Sequence, residues 1–174
     1  KYHNVLAIRG NIPKTLDYLN LQNISLFLGS NFHYVIYPVR PDGYLNFIAI
    51  VKYKLSIDEK KNYSLFSENY FIEKILDKIP LIIKENLKNH EGVKIFPVFI
   101  SKNFYKPQNN NIHFIGDAFF AYPPSFAQGA SQSIEGAYEL FKSIESKTEN
   151  NFYRNRVNKA KMVNNRSMLN QVIF

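Results

Sequence analysis

The sequence predicts an α+β fold in which a largely antiparallel sheet is followed by a strand, a glycine-containing loop and two C-terminal helices. Three observations favour this fold. Four segments rich in β-branched and aromatic residues lie within residues 5–52, with turn residues between them. A later short apolar run ends in Gly116-Asp117, as a strand ends at a loop. Beyond that loop, two segments carry apolar residues at helical spacing.

The sheet region begins with four predicted strands: Val5–Arg9, Leu26–Leu28, His33–Val39 and Tyr44–Lys52. The last two flank Arg40-Pro41-Asp42-Gly43, in which proline at the first corner and glycine at the fourth position suit a type I turn. We therefore expect a hairpin here, and a largely antiparallel sheet around it.

A helical segment is predicted from Ser67 through Asn89, because its apolar residues recur at helical spacing. Pro80 lies inside this segment and should kink or split it, since proline lacks the N–H group that a helix needs. A strand is predicted at Lys94–Ile100. After a polar connection, the run Ile112–Ile115 is predicted as a further short strand.

The C-terminal part is predicted to hold two helices, Gln128–Ser146 and Phe152–Val172. The second is basic, because no acidic residue follows Glu149. The expected division is a sheet region with one helix over residues 1–106, then a strand, loop and helix over 107–150, and a basic helix over 151–174.

The composition restricts the function classes. The chain of 174 residues is 45% hydrophobic, enough to bury a core, and lacks cysteine, which excludes disulfides and thiolate metal sites. The lack of cysteine fits a cytoplasmic protein. No apolar run is long enough to suggest a membrane span. The net charge of +8 comes mostly from lysine accompanied by Asn, Ile, Tyr and Phe, a mixture that coding bias explains, so no nucleic-acid partner is expected.

Residues 112–140 carry the chemistry. Gly116 permits close approach of a ligand, and Asp117 follows at the end of the predicted strand, where α/β sheets place ligands. Pro123-Pro124 stiffen the loop. Gln128-Gly129-Ala130-Ser131 then open a helix, whose N–H groups favour an anion or a polarised carbonyl. Acceptor and donors could thus hold opposite ends of one extended polar ligand, although each feature alone also fits an ordinary turn or helix start.

The same segment resembles the second flavin signature of class A FAD-dependent aromatic monooxygenases of the salicylate-hydroxylase-like type. That signature reads Gly-Asp-Ala-Ala-His, then Pro, Gly-Gln-Gly, Asn and Glu-Asp-Ala. The matching residues here are Gly116, Asp117, Ala118, Pro123, Pro124, Gln128, Gly129, Ala130, Gln132, Ile134, Glu135 and Ala137. Two flanking parts also look like this family: the strands around Arg9-Gly10 and His33–Val51, and the C-terminal helix with Tyr153, Arg156, Lys159, Val163 and Ser167.

The resemblance implies that the chain holds the C-terminal part of an FAD-binding α/β domain, with NADH or NADPH as electron donor and an aromatic substrate hydroxylated with oxygen. It implies that Asp117 accepts a hydrogen bond from the ribityl chain and that the helix start faces the pyrimidine edge of the isoalloxazine. The implied cofactor-binding residues are Gly116, Asp117, Pro123, Gln128, Gly129, Ala130 and Ser131. The implied substrate-binding residues are Tyr37, Asn46, Phe47 and Pro124, and no side chain receives a catalytic role.

The chain departs from the family pattern at several positions: Phe119-Phe120 replace Ala-His, Ala127 replaces Gly, Ser131 replaces Asn and Gly136 replaces Asp. These positions bear on flavin geometry and substrate choice. In addition, no Gly-x-Gly-x-x-Gly follows a predicted strand, so the ADP half of FAD has no visible site. The chain also begins without methionine. We therefore expect it to be a C-terminal part whose partner is the N-terminal half of the same protein.

Other functions also fit the sequence. A related hydroxylase of quinone precursors, or a flavin oxidoreductase that does not hydroxylate, would use the same half-site. A non-catalytic binding module could instead contact an anionic partner through the basic C-terminal helix. Ordinary sheet packing also explains Tyr37, Asn46 and Phe47. Arg40 suits a substrate carboxylate but fits a solvated turn equally well.

Overall fold

The structure is a computed structural model that describes residues 1–13, 23–39, 44–81, 84, 92–108 and 111–173. These residues form two compact units. We call Asn4–Val98 the sheet unit, and Lys1–His3 together with Phe99–Ile173 the helical unit. The combination of an antiparallel sheet with helices, two of them C-terminal, confirms the predicted α+β fold class.

The described strands form a five-stranded sheet in the order β2-β3-β4-β1-β5. They are β1 (Tyr2–Pro13), β2 (Ser25–Gly29), β3 (Phe32–Pro38), β4 (Tyr44–Lys52) and β5 (Lys94–Phe99). The pairs β2–β3, β3–β4 and β4–β1 are antiparallel. Each strand overlaps a predicted one, although β1 extends beyond the predicted Val5–Arg9 at both ends. The predicted turn at 40–43, including Arg40, lies outside the described residues.

The sheet has two different faces, because successive side chains of a strand point to opposite sides. The face that we call the buried face carries side chains that are almost fully enclosed: Leu6, Ile8, Tyr34, Ile36, Leu45 and Phe47. The opposite face, which we call the mixed face, starts with an apolar cluster of Val5, Ala7 and Ile50. Along the same face the register then places polar residues: Arg9, Asn11, Tyr37 and Asn46.

Gly10 on β1 is required by close packing on the buried face. It pairs with Phe47 across β4, and a Cβ atom at Gly10 would lie only 2.7 Å from the Phe47 ring. Any larger residue would therefore displace a fully buried aromatic side chain. The glycine fixes Phe47 in the sheet core.

Helix α1 (Asn69–Leu76) is shorter than the helical segment predicted over 67–89. Its buried residues Phe71 and Ile75 lie one turn apart, as the apolar spacing predicts. The helix stops before Pro80, and Lys84 N donates to Pro80 O at 2.9 Å. The predicted split at Pro80 is therefore confirmed, whereas residues 82–83 and 85–91 lie outside the described part.

A buried carboxylate accepts hydrogen bonds that stabilise the connection between β4 and α1. Glu59 is 8% exposed and accepts hydrogen bonds from Lys74 Nζ and Tyr53 Oη, both at 2.8 Å, and from Ser56 N at 2.7 Å. Burial acts to raise the pKa of Glu59, but these hydrogen bonds outweigh it and lower the pKa to about 2. Glu59 is therefore ionised at neutral pH and stabilises the folded state in that form.

The helical unit contains a short helix α2 (Gly116–Phe119), a 3-10 turn (Pro124–Phe126), and the long helices α3 (Gly129–Glu145) and α4 (Glu149–Ile173). Both long helices are confirmed within three residues of their predicted ends. The strand predicted at Ile112–Ile115 is wrong. Ile115 has an extended backbone, but no described strand pairs with this segment, and a strand needs a hydrogen-bonded neighbour.

The core of the helical unit is aromatic. Its buried members are Phe119, Phe120, Tyr122, Phe152, Tyr153, Ala160 and Val163. Phe104 from the preceding connection stacks on Phe120 with ring centroids 4.6 Å apart and also contacts Phe119. Phe119 and Phe120, which replace Ala-His in the family pattern, are therefore core residues whose large rings exclude water.

Candidate functional site

The site is built around the Gly116-Asp117 turn. Gly116 has φ +56°, a left-handed conformation, and a Cβ atom there would lie 2.6 Å from Ser133 Oγ. Both the backbone conformation and the close approach to α3 require glycine. The turn starts α2 and leaves Asp117 exposed in its first turn. The Asp117 carboxylate is thus available as a hydrogen-bond acceptor.

The second part of the site is the start of helix α3. Gln128 is its N-cap residue, and the Gln128 side chain does not cap the helix. A Cβ atom at Gly129 would meet nothing within 4 Å, while Ala130 and Ser131 are exposed. The N–H groups of the first helical turn have no partner within the helix, and the helix dipole is positive at this end. This helix start can therefore donate hydrogen bonds to a ligand that approaches closely over Gly129.

Ser133 brings the two parts together. It contacts Gly116 as described, and Ser133 Oγ donates to Gly129 O at 2.9 Å one turn earlier in α3. The Asp117 turn and the α3 start are consequently neighbours on one surface of the helical unit. Of the other predicted residues on this loop, Pro123 is fully buried and Pro124 starts the 3-10 turn.

Ala127 explains one departure from the family pattern. It has φ +50° and ψ +28°, in the left-handed region that strongly favours glycine. The family glycine at this position therefore has a conformational reason, and this chain carries alanine in the same conformation. The strained residue directly precedes Gln128, where the candidate site begins.

Residues of helix α4 form hydrogen bonds with the candidate site at three points. Tyr153 Oη accepts a hydrogen bond from Phe114 N at 3.1 Å, which fixes the segment leading to Gly116. Ser125 Oγ donates to Ser167 O at 2.7 Å, which fixes the 3-10 turn. The third point is Arg156, only 3% exposed. One face of the basic helix α4 therefore packs against the loops of the candidate site.

Arg156 is a site residue whose role the sequence analysis missed. Its Nη2 donates to Gln132 O at 3.1 Å and to Gln132 Oε1 at 3.0 Å, and its Nη1 donates to Glu139 at 3.2 Å. Gln132 Nε2 in turn donates to Gln128 Oε1 at 3.4 Å. A chain of hydrogen bonds therefore runs from α4 to the first residue of the α3 start. The signal for it was the helical spacing of Tyr153, Arg156 and Ser167.

Gly136 provides the space for this guanidinium group. A Cβ atom at Gly136 would lie 3.6 Å from Arg156 Nε, already in van der Waals contact. A longer side chain would have to share the space with Arg156, so the glycine at the position of the family aspartate has a packing reason. Next to it, Lys159 donates to Glu135 at 2.8 Å, and this hydrogen bond lowers the pKa of Glu135.

The candidate substrate residues divide between the two faces of the sheet unit. Tyr37 and Asn46 are cross-strand partners on the mixed face, both half-buried. Phe47 lies on the buried face and is 0% exposed. The structure thus brings Tyr37 and Asn46 together and separates Phe47 from them. Asn46 Nδ2 also donates to Asn11 Oδ1 at 3.0 Å, which adds Asn11 to the polar group.

Comparison with solved structures identifies the fold. The chain is similar to the tetracycline destructase Tet(51), with a TM-score of 0.68 at 13% identity over 98% of this chain and 48% of that chain. It is also similar to HpxO from Klebsiella pneumoniae in complex with FAD and uric acid, with a TM-score of 0.63 at 13% identity over 98% and 44%. The chain therefore shares its fold with proteins that bind FAD. PqsL from Pseudomonas aeruginosa shares it, with a TM-score of 0.59 at 14% identity over 95% and 46%, as does the flavin-dependent halogenase CmlS.

The chain spans slightly less than half the length of Tet(51), HpxO and PqsL, and about a third of the length of CmlS. No family model and no curated protein matches the sequence. The predicted resemblance is therefore confirmed by the fold, at low sequence identity. Within the described ranges, no helix combines the length and the apolar character that a membrane crossing requires.

Proposed function

We propose that this chain is part of an FAD- and NAD(P)H-dependent monooxygenase that hydroxylates an aromatic substrate. The observation that carries the proposal is the Gly116-Asp117 turn packed through Ser133 against the open start of α3. The fold supports it. So do the ligands of two proteins with this fold, since HpxO binds FAD and uric acid and PqsL binds 2-aminobenzoylacetate.

The residues present fit the sugar-alcohol chain and ring of a flavin. Asp117 is an exposed acceptor for a ribityl hydroxyl, and a charge-assisted hydrogen bond of this kind is stronger than a neutral one. The N–H groups at Gly129, Ala130 and Ser131 suit the polar pyrimidine edge of the ring, and nothing blocks the approach over Gly129. Gln128 is held in place from within the unit by Gln132.

When bound, reduced FAD activates oxygen: one oxygen atom enters the ring as a hydroxyl group, the other becomes water, and NADH or NADPH is oxidised. The contribution of this chain is to hold the cofactor at one end and to stabilise negative charge at the start of α3. The substrate-binding residues proposed in the sheet unit are Tyr37 and Asn46, with Phe47 supporting the strand on its other face; the one proposed in the helical unit is Pro124. No described side chain is required as a nucleophile.

The ADP half of FAD needs a glycine-rich βαβ unit, which this sequence lacks. We assign that unit to the N-terminal half of the same protein, and the assembled enzyme to the cytoplasm. The exposed apolar side chains along one side of α3, Ile134, Tyr138 and Phe141, are consistent with a surface that a further domain covers.

The proposal is tested with the protein that contains both this chain and the N-terminal unit. It should purify with FAD, and with NADH or NADPH and an aromatic substrate it should incorporate one atom of isotopically labelled dioxygen into the product. Bound FAD without label in the product would favour an oxidoreductase that does not hydroxylate. A protein that binds no FAD would contradict the proposal.

A further inference from the structure

A small cavity in the helical unit borders Gly116, the glycine of the Gly116-Asp117 turn. Its polar lining residues are Tyr122, Gln132 and Arg156, Gly136 adds bare backbone, and apolar side chains form the rest of the wall. Counted as positions open to the centre of a water molecule, its volume is about 10 Å³. That space is enough for one water molecule and for no larger ligand.

The hydroxyl group of Tyr122 is buried beside this cavity. Tyr122 is 9% exposed, and its Oη forms no hydrogen bond with any residue that the structure describes. Burial raises the pKa of Tyr122, while the charge of Arg156 acts to lower it. Tyr122 is therefore a neutral hydroxyl close enough to Arg156 to respond to its charge. A buried hydroxyl without a partner costs free energy, since it has given up its hydrogen bonds to solvent.

Arg156 has donor capacity that borders the same cavity. Its described hydrogen bonds use Nη1 and Nη2, whereas a guanidinium group carries a further N–H at Nε. Nε lies next to Gly136, where a Cβ atom would be only 3.6 Å away. Because Gly136 has no side chain, the space beside Nε stays open to the cavity that both residues line. A buried N–H and a buried hydroxyl thus adjoin one small space.

The charges around the cavity favour a neutral ligand. Arg156 Nη1 lies 3.2 Å from Glu139 and 3.6 Å from Glu135, so the charge of the guanidinium group is already balanced. These carboxylates would repel an anion, and the guanidinium group would repel a cation. Water is neutral and both donates and accepts hydrogen bonds, which suits a hydroxyl on one side and an N–H on the other.

We propose that one ordered water molecule is bound in this cavity, accepting a hydrogen bond from Arg156 Nε and donating one to Tyr122 Oη. Tyr122 directly precedes the Pro123-Pro124 loop, and Arg156 leads through Gln132 to Gln128 at the start of α3. The water therefore connects this loop with the α3 start from inside the helical unit. The inference goes beyond the proposed function and does not depend on it, because it concerns the chain without a flavin.

The test combines crystallography with urea unfolding of the 174-residue chain. Tyr122→Phe removes the hydroxyl group and keeps the ring. Gly136→Ala places a methyl group in the cavity, in ordinary contact with Arg156, and a double variant carries both changes. The matched control is Tyr105→Phe, since Tyr105 is an exposed tyrosine of the same unit and does not line the cavity.

The wild-type crystal structure should show one water molecule within hydrogen-bond distance of Tyr122 Oη and Arg156 Nε, and the Gly136→Ala structure should lack it. Tyr122→Phe should lower the equilibrium constant for folding roughly fivefold, the value of one hydrogen bond, while Tyr105→Phe leaves it unchanged. In the Gly136→Ala background the loss on Tyr122→Phe should disappear, because the hydroxyl has already lost its partner.

A hydroxyl group with no water beside it gives the opposite sign, since its removal takes away a buried unpaired group and stabilises the fold. A folding constant that rises or stays unchanged in Tyr122→Phe would therefore overturn the proposal. A wild-type crystal structure without this water, or the same loss on Tyr122→Phe in both backgrounds, would overturn it as well. None of these measurements involves FAD, so their outcome is separate from that of the proposed function.

Discussion

Replacing Arg156 with methionine tests whether α4 holds the start of α3. Methionine is unbranched, of similar length and a good helix former, so the change removes the charged donor while keeping an apolar side chain. It leaves the buried Gln132 Oε1 without its donor and removes a second hydrogen bond to Gln132 O, which keeps its partner within helix α3. It also frees Gln128 from the chain of hydrogen bonds that ends at its side chain.

The expected cost follows from these contacts. A hydrogen bond from a charged donor is worth about 1.5–3 kcal/mol, and Arg156 gives two to the buried Gln132. The contacts with Glu135 and Glu139 count for less, because those carboxylates are about a third exposed and regain water. Removing a buried charge recovers part of the desolvation cost. We therefore expect Arg156→Met to lower the free energy of unfolding by about 3 kcal/mol.

The assay is urea unfolding of the chain followed by circular dichroism, with Lys159→Met as the control. Lys159 is 37% exposed, and its described hydrogen bond goes to Glu135 rather than to Gln132 or Gln128. The control should cost less than about 1 kcal/mol. The Gln128 side-chain amide should also change its NMR signal in Arg156→Met alone. Equal costs for the two variants, or an unchanged Gln128 signal, would refute the reasoning.

Three further predictions follow from single residues. Ala127→Gly should raise the free energy of unfolding by about 0.5–1 kcal/mol, since relief of a left-handed alanine exceeds the added entropy of the unfolded chain; a lower urea midpoint would contradict this. Glu59→Gln should destabilise by about 3 kcal/mol at neutral pH. Because the folded pKa lies below the ordinary value near 4.5, that difference should disappear as the pH falls to about 2; a difference independent of pH would exclude the ionised network. In the FAD-containing protein, Gly129→Val should weaken FAD binding and lower the flavin reduction potential by a few tens of millivolts, as titration with reference dyes would show. A Cβ atom at Gly129 would meet no described atom within 4 Å, so the substitution should not disturb the chain itself. An unchanged potential would therefore mean that the α3 start does not face the ring.

The sequence predicted the sheet well, because strand patterns are local. The β-branched and aromatic residues of Tyr44–Lys52, with turn residues before them, predicted β4 to the residue, and the segment before the turn was predicted as its hairpin partner β3. Ile112–Ile115 had the same apolar character but is not a strand. Whether such a segment becomes a strand depends on a partner elsewhere, which no local pattern contains.

The candidate site was predictable where the reason was conformational. Gly116 was identified as a position of close approach, and the structure shows both the positive φ and the contact with Ser133. Arg156 was not predictable as a buried residue, since arginine is seldom buried and its partner Gln132 lies 24 positions away. The separation of Phe47 from Asn46 follows from the alternation of side chains along β4 alone, whereas the choice of which face is buried depends on what packs against the sheet, which the composition of a strand does not show.

The central claim is that Asp117 and the α3 start form half of an FAD site. The most direct measurement is the FAD dissociation constant of the protein that carries this chain and its N-terminal unit, for wild type, Asp117→Ala and Glu135→Ala. Asp117→Ala should weaken FAD binding about ten- to a hundredfold, the value of a charge-assisted hydrogen bond to a ribityl hydroxyl. Glu135→Ala should change it far less, because that carboxylate is turned to Lys159. Equal dissociation constants for wild type and Asp117→Ala would contradict the claim.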